Sequence, residues 1–148
     1  AGLLKEFKDK KELGLKAVFK EDVIYKDILE KYEDIKKLKE ALTSRSFQET
    51  YYQRAELGEM VESALQKEKE TYKKDILCVL SPVAVEVKVN STYGEMMIIS
   101  AAFLVEKHRE TEFDRKVEEL EAKYGAKMRF KYVGTLPPFN FINIVIEI

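Results

Sequence analysis

The order in which two hydrophobic periodicities alternate along this chain most constrains its fold. Leu13, Leu15, Ala17 and Phe19 recur at every second position, with Gly14, Lys16, Val18 and Lys20 between them. A period of two sends alternate side chains to opposite faces of a β-strand. From Val23 to Leu42 the spacing changes to three and four, through Ile24, Ile28, Ile35, Leu38 and Leu42, with Tyr32 among them. That pattern marks one face of an α-helix, and Lys and Glu fill the other. Asp22 stands where a capping side chain is expected. Thr43-Ser44-Arg45-Ser46 interrupts the helix, and Ser46 with Glu49 forms a capping-box pair that predicts a second helix start. Tyr51, Ala55, Gly58, Val61, Leu65, Tyr72, Ile76 and Val79 then follow one stripe, with no proline before Pro82. About 35 helical residues at 1.5 Å each make a rod of roughly 50 Å. A break at Gly58 or between Lys67 and Glu70, a protruding end, or an αα-hairpin with the preceding helix would each accommodate that length.

The period of two then returns. Val83, Val85, Val87 and Val89 alternate with Ala84, Glu86, Lys88 and Asn90. A turn containing Gly94 leads into Met96 to Val105, an apolar run interrupted by Ser100, as expected of a central strand covered on both faces. These two strands are expected to pair as a hairpin. Thr111 with Asp114 marks another helix start, with Phe113, Val117, Leu120 and Tyr124 as its buried stripe and Gly125 as its C′ residue. Met128, Phe130 and Tyr132 alternate in a further strand, and Ile142, Ile144, Ile146 and Ile148 in a last one. The first six steps spell β-α-β-β-α-β. The fold class is therefore α+β, a modified ferredoxin-like antiparallel sheet with long helices. Right-handed crossovers place the helices on one face of the sheet. The last strand is an extension, paired at the edge beside residues 128–133. At 148 residues the chain suits a single domain, 1–148, with a helical insertion at about 23–80.

Between the last two strands lies Gly134-Thr135-Leu136-Pro137-Pro138-Phe139-Asn140-Phe141. Proline fixes φ and carries no N–H, so Pro137-Pro138 cannot join a central ladder. Leu136 is pushed into an extended conformation by the proline after it. The result is a stiff loop that presents Phe139 and Phe141 at a defined place. Such a loop suits recognition better than bond-making, although it also fits an ordinary connection whose aromatics plug the core. Tyr51-Tyr52 with Arg54 leaves a similar choice open. Both tyrosines pack at the helix–sheet junction, or they form a contact patch of residue types favoured at interface hot spots.

Composition removes several function classes. Charged residues make up 36% of the chain, yet the signs cancel to a net charge of −1, without the basic excess of a dedicated nucleic-acid binder. The single cysteine, Cys78, excludes an intrachain disulfide and fits a reducing cytoplasm, and its helical stripe position reads as a buried thiol. His108 lies in a charged loop with Lys107 and Arg109, a poor setting for a metal ligand and a good one for a solvated imidazole. Zinc-ligand spacings and glycine-rich phosphate loops are absent from the sequence. Glu118-Glu119 and Glu68 with Glu70 read as solvated helix faces paired with lysines. No apolar run reaches the roughly 20 residues that a membrane-spanning helix needs. No catalytic, cofactor or metal residues are assigned. The start at Ala1-Gly2, without methionine or a secretory signal, reads as a piece of a longer polypeptide.

Several of these segments resemble one family. Gly134, Pro137, Pro138 and Phe141 stand where the gas vesicle protein GvpF/GvpL family carries a Gly-Pro-Trp-Pro-Pro-Tyr-Ser-Phe-Val type signature. Glu12-Leu13-Gly14-Leu15-Lys16 is similar to its W-G-V-K strand, with leucine for tryptophan. Thr50-Tyr51-Tyr52-Gln53-Arg54 is similar to its Y-L-x-x-R/K helix start, without the usual preceding glycine. Ser100-Ala101-Ala102-Phe103-Leu104-Val105, followed by Phe113 and Val117, resembles its A-F-L-V…F…V run. The resemblance covers the family's C-terminal half. It implies a modified ferredoxin-like fold and a non-enzymatic accessory protein of gas vesicle formation, cytoplasmic and vesicle-associated. It also implies that the partners are the hydrophobic shell protein GvpA and other Gvp proteins. The candidate protein-binding residues are Tyr51, Tyr52, Arg54, Gly134, Pro137, Pro138, Phe139 and Phe141. Self-association through an open strand edge is a further expectation. The alternative reading is a ligand-sensing regulatory module of the ACT-like kind, and a hydrolase built on clustered glutamates is a third class.

Overall fold

The structure is a computed structural model and describes residues 9–46, 48–136 and 141. Strand β1, Lys10–Phe19, is followed by helices α1, Glu21–Lys31, α2, Glu33–Leu42, and α3, Tyr51–Leu80. A 3-10 turn, Ser81–Val83, leads into β2, Glu86–Val89, and then β3, Met97–Glu106. A second such turn, Lys107–Arg109, opens α4, Glu110–Tyr124, and the chain returns as β4, Met128–Leu136. The sheet order is β2-β3-β1-β4 with every neighbouring pair antiparallel, the arrangement the sequence pattern predicts. The expected last strand, 142–148, lies outside the described residues.

One sheet face and the helices share the core. Leu13, Leu15, Ala17 and Phe19 from β1 join Ile99, Ala101, Phe103 and Val105 from β3. Ile76 and Leu80 of α3 and Phe113, Val117 and Leu120 of α4 close over them. Phe103 and Phe113 sit with ring centroids 5.1 Å apart, so the central strand and the last helix meet at two large apolar side chains. Residues 98–105 of β3 are all buried, as the unbroken apolar run requires of an inner strand.

The helical region departs from the sequence pattern in informative ways. Residues 23–42 form two helices, because Tyr32 is extended, at φ −97° and ψ 100°. The break lets both Ile28 and Ile35 reach the core, and it brings the Tyr32 hydroxyl to within 3.4 Å of Glu68 Oε1. Asp22 lies in the first turn of α1 and caps nothing. Ser46 Oγ does accept the Glu49 N–H at 3.3 Å, but α3 starts five residues after Ser46, with buried Thr50 at its N-cap. Neither Gly58 nor the Lys67–Glu70 stretch breaks α3. Its stripe of Val61, Leu65 and neighbours is covered by Ile24 and Ile28 of α1 and Ile35 of α2.

The remaining corrections are local. Val83 falls in the 3-10 turn, and Val85 and Val89 are exposed at the sheet edge, so β2 is a short edge strand. Thr111 lies one residue inside α4, whose N-cap is Arg109. Gly125 caps α4 in the right-handed region, and Gly94 takes the positive φ, +80°, in the turn before β3. Cys78 is exposed on α3 and is not the buried thiol expected.

Candidate protein-binding surfaces

The first turn of α3 presents aromatic rings to solvent. Tyr51 is 61% exposed and Tyr52 83%, and their rings pack edge to face at 5.5 Å. This arrangement sets aside the helix–sheet junction reading, because neither ring lies against the sheet. Arg54 is held in place: its Nε donates to Thr50 Oγ1 at 2.8 Å, and that hydroxyl donates to the Ser46 carbonyl at 2.9 Å. The two exposed phenol rings form an amphipathic patch, with Arg54 anchored on the same helical turn.

Gly134 belongs to a different end of the molecule. It lies inside β4, not in the loop expected there. The register of β4 against β1 runs Glu12↔Leu136 and then Gly14↔Val133, so Gly134 and Thr135 together oppose Leu13. This is a β-bulge, the usual reason for glycine inside a strand. A Cβ at Gly134 would stand 3.5 Å from Leu13 Cδ2, an ordinary contact, so the backbone bulge and not crowding defines the position. Pro137, Pro138 and Phe139 lie outside the described residues, and Phe141 is half-buried with helical backbone. The C-terminal end of α3 leads through Val85, whose N–H donates to the Leu104 carbonyl, to the sheet end where Leu104 pairs with Glu12 and Glu12 with Leu136. Tyr51 stands at the far end of the same 30-residue helix, about 45 Å away at 1.5 Å per residue. The structure therefore does not bring Tyr51, Tyr52 and Arg54 together with Gly134.

Two features of the molecule are not in the sequence reading. One is a polar junction where α1, α3 and the approach to β4 meet. Buried Glu68 accepts from Lys31 Nζ at 2.7 Å, and this bond holds the Lys31 amine above its ordinary pKa. Lys127 Nζ donates to the Tyr72 hydroxyl at 3.3 Å, which likewise raises the Lys127 pKa. Tyr124 bonds Asp75, and its hydroxyl pKa is raised first by burial and then by that carboxylate. A cleft of about 300 Å³ opens among Asp27, Lys31, Glu68, Tyr72 and Lys127. Asp27 Oδ2 faces no hydrogen-bond donor there, and its nearest cation, Lys127 Nζ, stands at 3.5 Å. Among the described residues no group of three His, Cys, Asp or Glu is placed to hold a metal ion.

The other feature is the sheet face turned away from the core. Gly14 and the buried Ser100 and Ala102 line a groove of about 230 Å³ there, together with Asn90, Lys16, Lys131, Val133 and the buried Glu12. Lys16 pairs in register with Ser100 on one side and with Lys131 on the other. The small residues were visible in the sequence, but their alignment across three strands depends on register, which the sequence pattern does not specify.

A split β-α-β sheet with its helices layered on one face defines an α+β module of the ferredoxin-like type. The chain belongs to the gas vesicle synthesis protein GvpL/GvpF family, whose model matches residues 1–143. Gas vesicle protein F of Dolichospermum flosaquae is 24% identical over 142 residues, 96% of this chain and 57% of that protein. Its counterpart in Nostoc sp. is 24% identical over 144 residues, again 96% of this chain and 57% of the relative. The crystal structure of GvpF from Anabaena sp. PCC7120 has the same fold, with a TM-score of 0.82 at 23% identity over 95% of this chain and 57% of that one. GvpF from Microcystis aeruginosa gives a TM-score of 0.71 at 21% identity, with the same coverage. The chain thus spans a little over half the length of the relatives it matches. Family membership supports a role in gas vesicle synthesis. Among the described residues no helix is long and apolar enough to cross a membrane.

Proposed function

We propose that this chain is a non-enzymatic, vesicle-associated binding module that holds the hydrophobic shell protein GvpA, and other Gvp proteins, for assembly. In this reading residues 1–148 act as one ferredoxin-like unit whose helical insertion, about 23–80, carries the contact surface. The observation that carries the proposal is the exposed Tyr51–Tyr52 pair beside a fixed Arg54 on a chain of this family. Tyrosine and arginine offer a large amphipathic contact area, which suits a greasy partner that must be held and then released. The segment with Gly134, Pro137, Pro138, Phe139 and Phe141 is a second candidate for contact. The test is a pull-down of GvpA by this chain, and by its Tyr52→Ala and Phe139→Ala variants. Loss of capture with Tyr52→Ala is expected. Unchanged capture by both variants removes these residues from the proposal, and no capture of any Gvp protein removes the function.

The cleft around Asp27 favours the second reading, a module that senses a small molecule. A buried carboxylate oxygen held only by a 3.5 Å ion pair to Lys127 suits a ligand that carries an ammonium or hydroxyl group. A thermal-shift screen against amino acids and nucleotides tests it. A reproducible shift abolished by Asp27→Asn, together with no GvpA capture, would replace the first reading.

A further inference from the structure

Among the described residues β2 pairs on one side only, because the order β2-β3-β1-β4 leaves it at the end of the sheet. Its register runs from Glu86↔Leu104 to Val89↔Ala101, and the Asn90 N–H donates to the Ser100 carbonyl at 2.8 Å. Antiparallel pairs alternate between bonded and non-bonded. Glu86, Lys88 and Asn90 therefore turn their backbone groups towards β3, while Val87 and Val89 turn theirs outward. Neither outward N–H meets an acceptor among the described residues. The side chains on this edge are open to solvent as well. Val85 is 50% and Val89 43% exposed, Glu86 and Lys88 are exposed, and Val87 is half-buried. Tyr93, at the tip of the same hairpin, is exposed too, so the edge is apolar as well as open.

We infer that β2 is a self-recognition edge, which pairs antiparallel with β2 of a second copy about a two-fold axis through Val87. Charge complementarity selects that occupant. With the axis at Val87, Glu86 stands opposite Lys88 of the second copy, and Lys88 opposite its Glu86. Opposite charges facing each other across strands attract. Moving the axis by one residue would oppose two lysines or two glutamates, so the charges also fix the register. Val87 then exchanges both hydrogen bonds with its counterpart and satisfies the groups it turns outward. The same register brings Val85 of each copy beside Val89 of the other and covers both. Edge strands often carry a charge that forbids such pairing. Here the alternation Glu-Val-Lys-Val makes the charges answer each other instead. The contact uses the same residues on both copies, so it closes at two and does not propagate. With residues 85–89 on each side it is small for a specific interface, and association belongs to high concentration. It lies apart from the tyrosine pair of α3, so capture of GvpA and this pairing are separable.

Sedimentation equilibrium of the 148-residue chain, carried to millimolar concentration, tests the inference. A monomer–dimer equilibrium without larger species is expected. Glu86→Lys and Lys88→Glu should each weaken dimerisation at least tenfold, because each turns both cross-strand pairs into like charges. The E86K/K88E variant exchanges the two charges, restores opposite pairs, and should return to within threefold of the unchanged chain. Circular dichroism reports whether each variant keeps its fold. If one does not, amide hydrogen exchange of the unchanged chain decides. The Val87 N–H should gain protection as concentration rises, while the Lys88 N–H, turned towards β3, is protected at every concentration. A chain that stays monomeric at millimolar concentration, a dimer indifferent to both single reversals, or a Val87 N–H that exchanges equally fast at all concentrations overturns the inference.

Discussion

The two halves of α3 have the same backbone and opposite surroundings. In the second half Ile76 and Leu80 are fully buried, and Tyr72 packs edge to face on Phe19 and Tyr124 at 5.6 and 5.2 Å. In the first half only Ala64 and Leu65 are fully buried, the cover comes from α1 and α2, and the outer side is tyrosine and glutamate. One element therefore serves both as a wall of the core and as an arm away from it. The contrast teaches that side chains of similar size contribute very differently along one helix: core positions hold the fold, while solvated positions of the first half add little to it.

Truncations at the two ends would break or sharpen that contrast. Phe103→Ala, beneath the second half of α3, should lose about 3–5 kcal/mol of unfolding free energy in urea titrations, and Ile76→Ala about 2–5 kcal/mol, because each removes buried carbon and leaves a cavity. A loss below about 1 kcal/mol at both sites would show that the core does not carry the fold. Glu68→Gln, at the boundary between the halves, should cost about 1–3 kcal/mol, since it exchanges a charge-assisted bond to Lys31 for a weaker one.

A smaller effect is expected at alkaline pH. Tyr132 donates to Asp114, and burial, reinforced by that carboxylate, raises its pKa well above the ordinary 10.0. The folded state therefore keeps a proton that the unfolded chain releases near pH ~10. The resulting stabilisation is complete below that pH and falls away as the pH rises towards the folded-state value. Tyr132→Phe should make the decline in urea midpoint above pH ~10 shallower; an identical decline would remove Tyr132 as its source. Smallest of all, Tyr52→Ala should change stability by no more than about 0.5 kcal/mol, as for any solvated helix position, while altering capture of a partner.

Much of this architecture was legible because the strongest signals are local. The apolar run from Met96 to Val105 had to be an inner strand, and the stripe of Phe113, Val117 and Leu120 had to face it. The break at Tyr32 was not legible, because Ile28 and Ile35 keep a helical spacing straight through it. What breaks the helix is tertiary, namely the pull of Glu68 on Lys31 and Tyr32. The start of α3 moved past Ser46 because a capping pair competes with buried Thr50, four residues from the expected cap. For the candidate surfaces, the sequence named the exposed tyrosines but could not separate junction from arm. The facing lysines of the outer sheet appear only once β1 and β4 are placed in register.

The extra residue in β4 has a consequence for how the strand ends. In an unbroken register Leu136 would stand opposite Lys11; the bulge absorbs one residue, and Leu136 stands opposite Glu12. Side chains on a strand swap sides with each step, so an added residue would exchange inside for outside if the bulge did not absorb it opposite Leu13. Shortening the strand by a single residue at Gly134 would remove the bulge and still leave Leu136 opposite Glu12, on the same side of the sheet. The bulge is therefore a slack link: β4 takes in one residue more than β1 without changing which residue of β1 its end meets.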